Sequence, residues 1–129
     1  VHLLGWRRDV AEIVAALDLL VLTSRWEGLP RVFAEARAVG VPIVATRVGG
    51  AVEAIRDGSS GFLVEPGDVQ GMARHVLRLL RDPDLRQELA RQARLGLEEF
   101  DIRSMVDRQE KLYLELADRR PVAVPAAAG

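Results

Sequence analysis

Two glutamates, Glu27 and Glu35, stand on either side of a predicted helix start. Glu35 lies inside the helix, roughly 8 Å along its axis at about 1.5 Å per residue. A helix start offers free N–H groups and the positive end of the helix dipole, which suit phosphate. Carboxylates accept the hydrogen bonds that sugar and ribose hydroxyls donate. The pattern therefore suits a ligand that carries hydroxyls, then charge, then hydroxyls, as a sugar–diphosphate–ribose chain does.

The loop that leads into this helix is suited to close approach by a ligand. Gly28 has no side chain and lets its backbone come near a bound group. Pro30 suits the first helical position and has no N–H, so the N–H groups of Arg31 and Val32 are the expected donors. A second glycine turn, Gly49–Gly50, precedes a short predicted helix. Both a ligand contact and a purely structural turn remain open for that glycine pair.

Apolar spacing places these loops in an alternation of strands and helices. Continuous apolar runs predict strands at 1–4, 19–23, 42–46 and 61–64. Helical spacing predicts helices at about 9–17, from Pro30 to Gly40, and after Gly49–Gly50, Asp68, Asp82 and Asp101. The predicted fold class is α/β, a partial Rossmann-like parallel sheet of about four strands flanked by helices, with two extra C-terminal helices. In this architecture, ligands bind at the carboxyl ends of the strands.

Local signals refine the helices. Asp9, with Glu12 three residues later, resembles a capping box, and Asp68 is expected to cap the fourth helix. The residues expected to face inward are Val32, Phe33, Ala36 and Val39 on the second helix, Val69, Met72, Ala73, Val76 and Leu80 on the fourth, and Leu85, Leu89, Ala93 and Leu97 on the fifth.

The composition excludes several classes of function. The 129 residues include 18 basic and 19 acidic ones, for a net charge of -1, with no block of like charge, so we expect no nucleic-acid partner. There is no cysteine, and His2 and His75 lack partners at ligand spacing, so we expect neither a metal nor another cofactor. The apolar runs are shorter than a membrane span. The expected location is the cytoplasm, with peripheral contact at a membrane surface as an open alternative.

The stretch around the two glutamates resembles a known signature. The segment 24–30, SRWEGLP, followed by 35–45, EARAVGVPIVA, resembles the family 4 (group 1) retaining glycosyltransferases. Segments 49–55 and 57–68 continue the resemblance, which runs from about residue 2 to residue 116. It implies the two-domain GT-B fold, in which this chain would be part of the C-terminal, donor-binding domain.

The resemblance also implies a substrate and a role for each matching residue. The donor would be a nucleotide-diphosphate-sugar, transferred with retention of anomeric configuration. Glu27, the candidate catalytic residue, matches the glutamate that meets the donor sugar's hydroxyls, and Glu35 matches the one that binds ribose. The remaining donor-binding candidates are Gly28, Leu29, Arg31, Val32, Ser24, Gly49 and Gly50.

The resemblance further implies elements outside this sequence. In the family, an arginine and a lysine that neutralise the diphosphate lie on earlier elements, and the acceptor site lies on the other domain. We therefore expect 1–119 to be a fragment that is inactive alone, with 120–129 a disordered tail and the N-terminal domain of the same enzyme as its partner. The acceptor is not identified. The uncovered edge at 19–23 leads us to expect a homodimer of the isolated fragment.

Other interpretations of the same residues remain open. Glu27 and Glu35 can be plain loop and helix carboxylates, with Glu35 in a surface ion pair to Arg31 four residues earlier. A related sugar-nucleotide epimerase or phosphorylase shares the fold type, although the uninterrupted signature argues against it. A non-catalytic interaction module on a Rossmann-like scaffold is the alternative of another class, and loss of a glutamate would favour it.

Overall fold

Three short apolar strands form one parallel sheet in the computed structural model, which describes residues 1–97 and 101–118. The strands are β1 (Leu20–Leu22), β2 (Ile43–Thr46) and β3 (Gly61–Val64), in the order β1-β2-β3. Leu20 pairs with Ile43, and Ile43 with Gly61, so all three carboxyl ends lie at one edge. The predicted α/β class and the parallel sheet are confirmed.

The fourth predicted strand, at 1–4, is wrong. Val1, Leu3 and Leu4 are exposed and adopt no strand conformation. A strand needs a neighbour that accepts and donates its backbone hydrogen bonds, and no described residue offers one to this segment. Strand-like composition alone was therefore not sufficient.

Six helices accompany the strands within the described ranges: α1 (Val10–Ala15), α2 (Arg31–Val39), α3 (Ala51–Ala54), α4 (Val69–Arg81), α5 (Pro83–Ala93) and α6 (Ile102–Asp118). The chain divides into two units, Val1–Leu97 and Glu98–Gly129. The second unit is described here through α6 alone, and the predicted tail at 120–129 lies outside the described residues. No helix in the part of the chain that the structure describes is long and apolar enough to cross a membrane.

The two faces of the sheet carry different helices. A Cβ added to Gly71 of α4 would lie 3.0 Å from Val64 Cγ1, and one added to Gly61 would lie 3.0 Å from Ile55 Cγ2. Because alternate strand residues point to opposite faces, α4 covers one face and Ile55, at the end of α3, covers the other. The core on the α4 face consists of Val44, Phe62, Val64, Leu79 and Leu89.

Helix caps and inward faces follow the sequence only in part. Asp68 caps α4 by accepting the Gly71 N–H at 2.8 Å, as predicted. Asp9 makes no cap bond, so the predicted capping box is wrong. Its carboxylate instead accepts the Arg7 guanidinium, with Nε at 2.8 Å, which lowers the pKa of Asp9 below its usual value. Arg7 competes successfully because both side chains are exposed and only two residues apart.

The predicted inward face of α4 is partly wrong. Val69, Ala73 and Leu80 are exposed, whereas Leu79 is fully buried and Met72 and Val76 are partly buried. On α2, Phe33 and Ala36 are buried as predicted, but Val39 is exposed. On both α2 and α4, the buried face is rotated by about one residue from the predicted apolar face. On α5, Leu89 and Ala93 are buried as predicted.

The carboxyl-terminal ends of α2 and α5 are joined by two arginines that cap each other's helix. Arg37 of α2, only 5% exposed, donates from Nε to Ala93 O and from a terminal nitrogen to Leu95 O, each at 2.8 Å. Arg94 donates in return to Val39 O at 2.8 Å. Gly40 ends α2 with φ 78°, and the Arg94 guanidinium lies directly beside it. These bonds fix α2, whose other end carries the loop of interest.

Candidate functional site

The loops that follow β1, β2 and β3 meet at the carboxyl edge of the sheet. The first leads into α2 and contains both Ser24 and Glu27, the second contains Gly49–Gly50, and the third contains Asp68. This edge is where parallel α/β sheets bind ligands. The predicted site residues belong to the first two loops, except Arg31 and Val32 at the start of α2 and Glu35 inside it.

Glu27 is held in place by the loop itself. The Ser24 hydroxyl donates to Glu27 Oε1 at 2.6 Å, and the Thr46 hydroxyl donates to the Ser24 backbone oxygen. The bond to Thr46 ties the loop to the end of β2. A carboxylate oriented in this way keeps its second oxygen available for a hydroxyl donor.

The start of α2 has unused backbone donors. Pro30 is the N-cap, so the helix begins at Arg31, one residue later than predicted, and no side chain caps it. The Phe33 N–H donates to Pro30 O at 3.0 Å. Within the described residues, the N–H groups of Arg31 and Val32 have no acceptor. Two donors and the helix dipole therefore face whatever binds there.

Glu35 lies on the first turns of α2 and is half-buried. Among the described residues, no ion pair or hydrogen bond involves its carboxylate, so the predicted alternative of a surface ion pair with Arg31 is not formed. The acceptor capacity of this carboxylate is therefore unused by the described part of the chain.

The glycine pair of the second loop packs against the first loop. The Gly50 N–H donates to Gly28 O at 2.6 Å. A Cβ on Gly49 would lie 1.8 Å from Glu27 O, and a Cβ on Gly50 would lie 2.2 Å from Gly28 O. Contact between two backbones thus explains why both positions are glycine. Of the two uses left open for this pair, the structural one is present.

Gly28 differs from this pair, because nothing in the described chain requires it to be glycine. A Cβ built on it meets no atom within 4 Å, and its φ lies outside the left-handed region. Leu29 and Trp26 beside it are exposed. The open side of the loop is therefore accessible to a group from outside.

A pocket of about 250 Å³ adjoins the loop on the α4 face, and of its wall only Ser24 was among the predicted site residues. Its wall includes Thr23, Arg25, Thr46, Asp68 and Met72. The signal that could have found these residues was their position just after the three strands.

His75 was considered above as a metal ligand and serves packing instead. Its ring stacks on Phe62, with ring centroids 4.2 Å apart. No cluster of three or more metal-ligating side chains occurs in the ranges 1–97 and 101–118.

The chain is similar in sequence to known sugar-transferring enzymes. Residues 1–82 match the family model described as glycosyl transferases group 1. N-acetyl-alpha-D-glucosaminyl L-malate synthase of Bacillus anthracis is 43% identical over 86 residues, which cover 67% of this chain and 23% of that protein. The match is to a family of transferases, so it does not favour an epimerase, a phosphorylase or a non-catalytic module.

Solved structures have the same architecture. Anabaena Alr3699/HepE in complex with UDP-glucose superposes with a TM-score of 0.77 at 33% identity, covering 87% of this chain and 31% of that one. The C-terminal domain of a group 1 glycosyl transferase (LpcC) from Francisella tularensis gives a TM-score of 0.69 at 29% identity, covering 79% of this chain and 53% of that one. The chain spans about a quarter of the length of the curated relatives it matches. By its sequence and its fold, the chain belongs to the group 1 glycosyl transferases.

Proposed function

We propose that this chain is the donor-binding part of a family 4 retaining glycosyltransferase, residues 1–119 forming a piece of its C-terminal domain. The donor is a nucleotide-diphosphate-sugar, and the acceptor site lies mainly in an N-terminal domain of the same polypeptide. The transferase activity belongs to the longer polypeptide that contains both domains, which is called the complete polypeptide below. Its location in the cytoplasm or peripherally at a membrane, and its independence from metal and cofactor, stay predictions.

The proposed binding mode runs along the start of α2. The diphosphate accepts hydrogen bonds from the N–H groups of Arg31 and Val32, with Gly28 and Leu29 lining its path. Glu35 accepts from the ribose hydroxyls. Glu27, oriented by Ser24, accepts from the donor sugar near the reacting carbon. Gly49–Gly50 supports this loop from behind.

The observation that carries the proposal is the set of unused polar groups in one row. The Arg31 and Val32 N–H groups and the Glu35 carboxylate have no partner in the described residues, and neither has the second carboxylate oxygen of Glu27 on the loop before them. The two carboxylates can accept hydrogen bonds from hydroxyls on both sides of a diphosphate, while the positive end of the α2 dipole between them attracts the diphosphate. UDP and UDP-glucose bound to the HepE neighbour have the same chemical layout and support the choice of ligand.

The test separates the two glutamates by the part of the donor that each meets. In the complete polypeptide, Glu35→Ala should weaken UDP binding by about 5–150-fold, which corresponds to the 1–3 kcal/mol of a lost hydroxyl acceptor. Glu27→Ala should leave UDP affinity nearly unchanged and strongly lower turnover with the full donor. Calorimetry with UDP and a transfer assay measure the two effects. Glu110→Ala on α6 is the matched control, since that glutamate is exposed and belongs to the other unit of the chain.

Two results would contradict the assignment. Equal losses of UDP affinity in both variants would remove the distinction between ribose and sugar contacts. Unchanged UDP affinity in Glu35→Ala, with the fold intact by circular dichroism, would place the nucleotide elsewhere.

A further inference from the structure

The pocket on the α4 face shares only Ser24 with the donor site described above. It lies at the carboxyl edge of the sheet, and its wall ends at Arg25. None of the residues from Glu27 to Glu35 contributes to it. A molecule that fills this pocket therefore leaves the start of α2 free. The pocket and the donor loop can be occupied at the same time.

The size of the pocket limits its occupant. Its volume is about 250 Å³. Sites for drug-sized ligands measure about 300–1,000 Å³, so the size of this one suits a single small ring.

The wall offers both kinds of hydrogen-bonding group together with an apolar surface. The Arg25 guanidinium and the Thr23 hydroxyl have no partner among the described residues. Pro66, Val69 and Met72 supply apolar atoms. Hydroxyls both donate and accept hydrogen bonds, and the C–H face of a sugar ring packs on apolar side chains.

The charges of the wall favour a neutral ligand. Glu65 pairs with Arg47 at 3.0 Å, and Asp68 accepts the Gly71 N–H at 2.8 Å at the start of α4. Arg47 also pairs with Asp57, and Asp68 lies 3.8 Å from Arg74. Together with Arg25, these groups carry three positive and three negative charges, so the surroundings of the pocket give neither a cation nor an anion a net attraction. A polyhydroxylated neutral ring meets both conditions.

Ser24 connects the pocket to the donor loop. Its hydroxyl donates to Glu27 Oε1 at 2.6 Å, while its residue forms part of the pocket wall. Glu35 lies inside α2, beyond the far end of the same loop. A ring in the pocket would therefore touch the residue that orients Glu27, the carboxylate proposed to meet the donor sugar.

We propose that this pocket binds one sugar ring of the acceptor. The inference rests on the proposed function, because it is the donor assignment that makes the second ligand an acceptor. It gives this chain a share in acceptor recognition, and it names a neutral sugar ring as the class of group recognised.

The test uses the ¹⁵N-labelled 129-residue chain and methyl α-D-glucopyranoside as the probe. Amide shifts are followed during a titration to about 100 mM, since a Kd of 1 mM corresponds to only about 4 kcal/mol. We expect shifts at Thr23–Arg25, Thr46 and Glu65–Met72, and we expect the same shifts when UDP is present. Shifts confined to Gly28–Glu35, or none at all, would overturn the proposal. Loss of the sugar shifts when UDP is added would assign the ring to the donor site and would also overturn it.

Variants localise the binding. Val69→Trp fills the pocket from an exposed position and should weaken sugar binding at least about tenfold. Leu77→Trp, also exposed on α4 but outside the pocket, is the matched control and should bind normally. Arg25→Ala, which removes no internal contact in the described chain, is a second variant that preserves the fold and should also weaken binding. Normal sugar binding by both pocket variants would overturn the proposal.

The same samples distinguish this proposal from the proposed function. Amide shifts at Gly28–Glu35 on addition of UDP alone report the donor site. Sugar binding without UDP binding would defeat the donor assignment and leave a sugar site, whereas UDP binding without sugar binding would defeat only the pocket.

Discussion

The backbone N–H of Gly50 donates to the backbone oxygen of Gly28 at 2.6 Å. This bond joins the loop after β2 to the loop after β1. The preceding residues of the two loops, Gly49 and Glu27, are in close contact as well. A Cβ on Gly49 would overlap Glu27 O at 1.8 Å. The position of Glu27 and the start of α2 therefore depends on a loop that contributes no side chain to the proposed donor site.

Gly50→Ala should displace the donor loop. The new Cβ would lie 2.2 Å from Gly28 O and 2.8 Å from Leu29 Cα, and both of these atoms belong to backbone. We expect a loss of about 1–3 kcal/mol in the free energy of unfolding from overpacking. UDP affinity of the complete polypeptide should fall too. Gly58→Ala is the control, because its φ of 76° causes backbone strain but its Cβ meets nothing. An equal loss of UDP affinity in Gly58→Ala would mean that reduced stability, and not displacement of the donor loop, weakens binding.

Gly28→Ala should separate stability from binding. The added Cβ points into open space at a φ outside the left-handed region, so alanine should keep or raise stability by about 0.4–1 kcal/mol. The same methyl would stand where we propose that the donor approaches the backbone. Urea unfolding should therefore show an unchanged or higher midpoint, while calorimetry shows weaker UDP or UDP-glucose binding. Undiminished binding of both ligands would contradict the proposed path of the donor.

Arg37→Met should destabilise the fold more than Arg94→Met. Arg37 is buried and its loss leaves the oxygens of Ala93 and Leu95 without their charged donor, at a cost of about 1.5–3 kcal/mol for each such bond. Arg94 is exposed and makes one comparable bond, to Val39 O. Urea denaturation of both variants measures the difference. Equal small losses would show that water replaces the Arg37 bonds.

Local chemistry explains which features could be predicted from the sequence. The strands at 43–46 and 61–64, the Asp68 cap and the Gly40 helix end follow from apolar runs and cap residues within a few positions. The residues from Ser24 to Glu35 were selected from the same local spacing and from the family resemblance, and their role in binding a donor stays a prediction.

Features that depend on distant contacts could not be predicted. The carbonyl partners of buried Arg37 lie 56 and 58 residues away, and arginine at a helical position ordinarily indicates a solvated face. The role of Gly49–Gly50 depends on the loop after another strand. Likewise, the strand predicted at 1–4 required a neighbour that its own composition could not reveal.

The 129-residue chain alone should transfer no sugar. Transfer needs the donor and the acceptor held together and the charge on the leaving diphosphate stabilised, and we place the remaining groups for both tasks in the complete polypeptide. Incubation with UDP-glucose and a panel of candidate acceptors is the assay, with the complete polypeptide in parallel. Product formed by the chain above the rate without protein would contradict the division of labour between the two domains.

The isolated chain should associate with a second copy through its first 23 residues. β1 pairs only with β2 in the described chain, so its outer edge exposes backbone donors and acceptors beside Val21. Leu3, Leu4 and Trp6 are exposed too, and such a patch favours pairing about a two-fold axis. Light scattering over a concentration series should give a mass that rises toward a dimer. Val21→Lys should weaken this association by placing charge on the edge, whereas Val52→Lys on exposed α3 should not. A strictly monomeric mass at high micromolar concentration would show that the edge of β1 needs no partner.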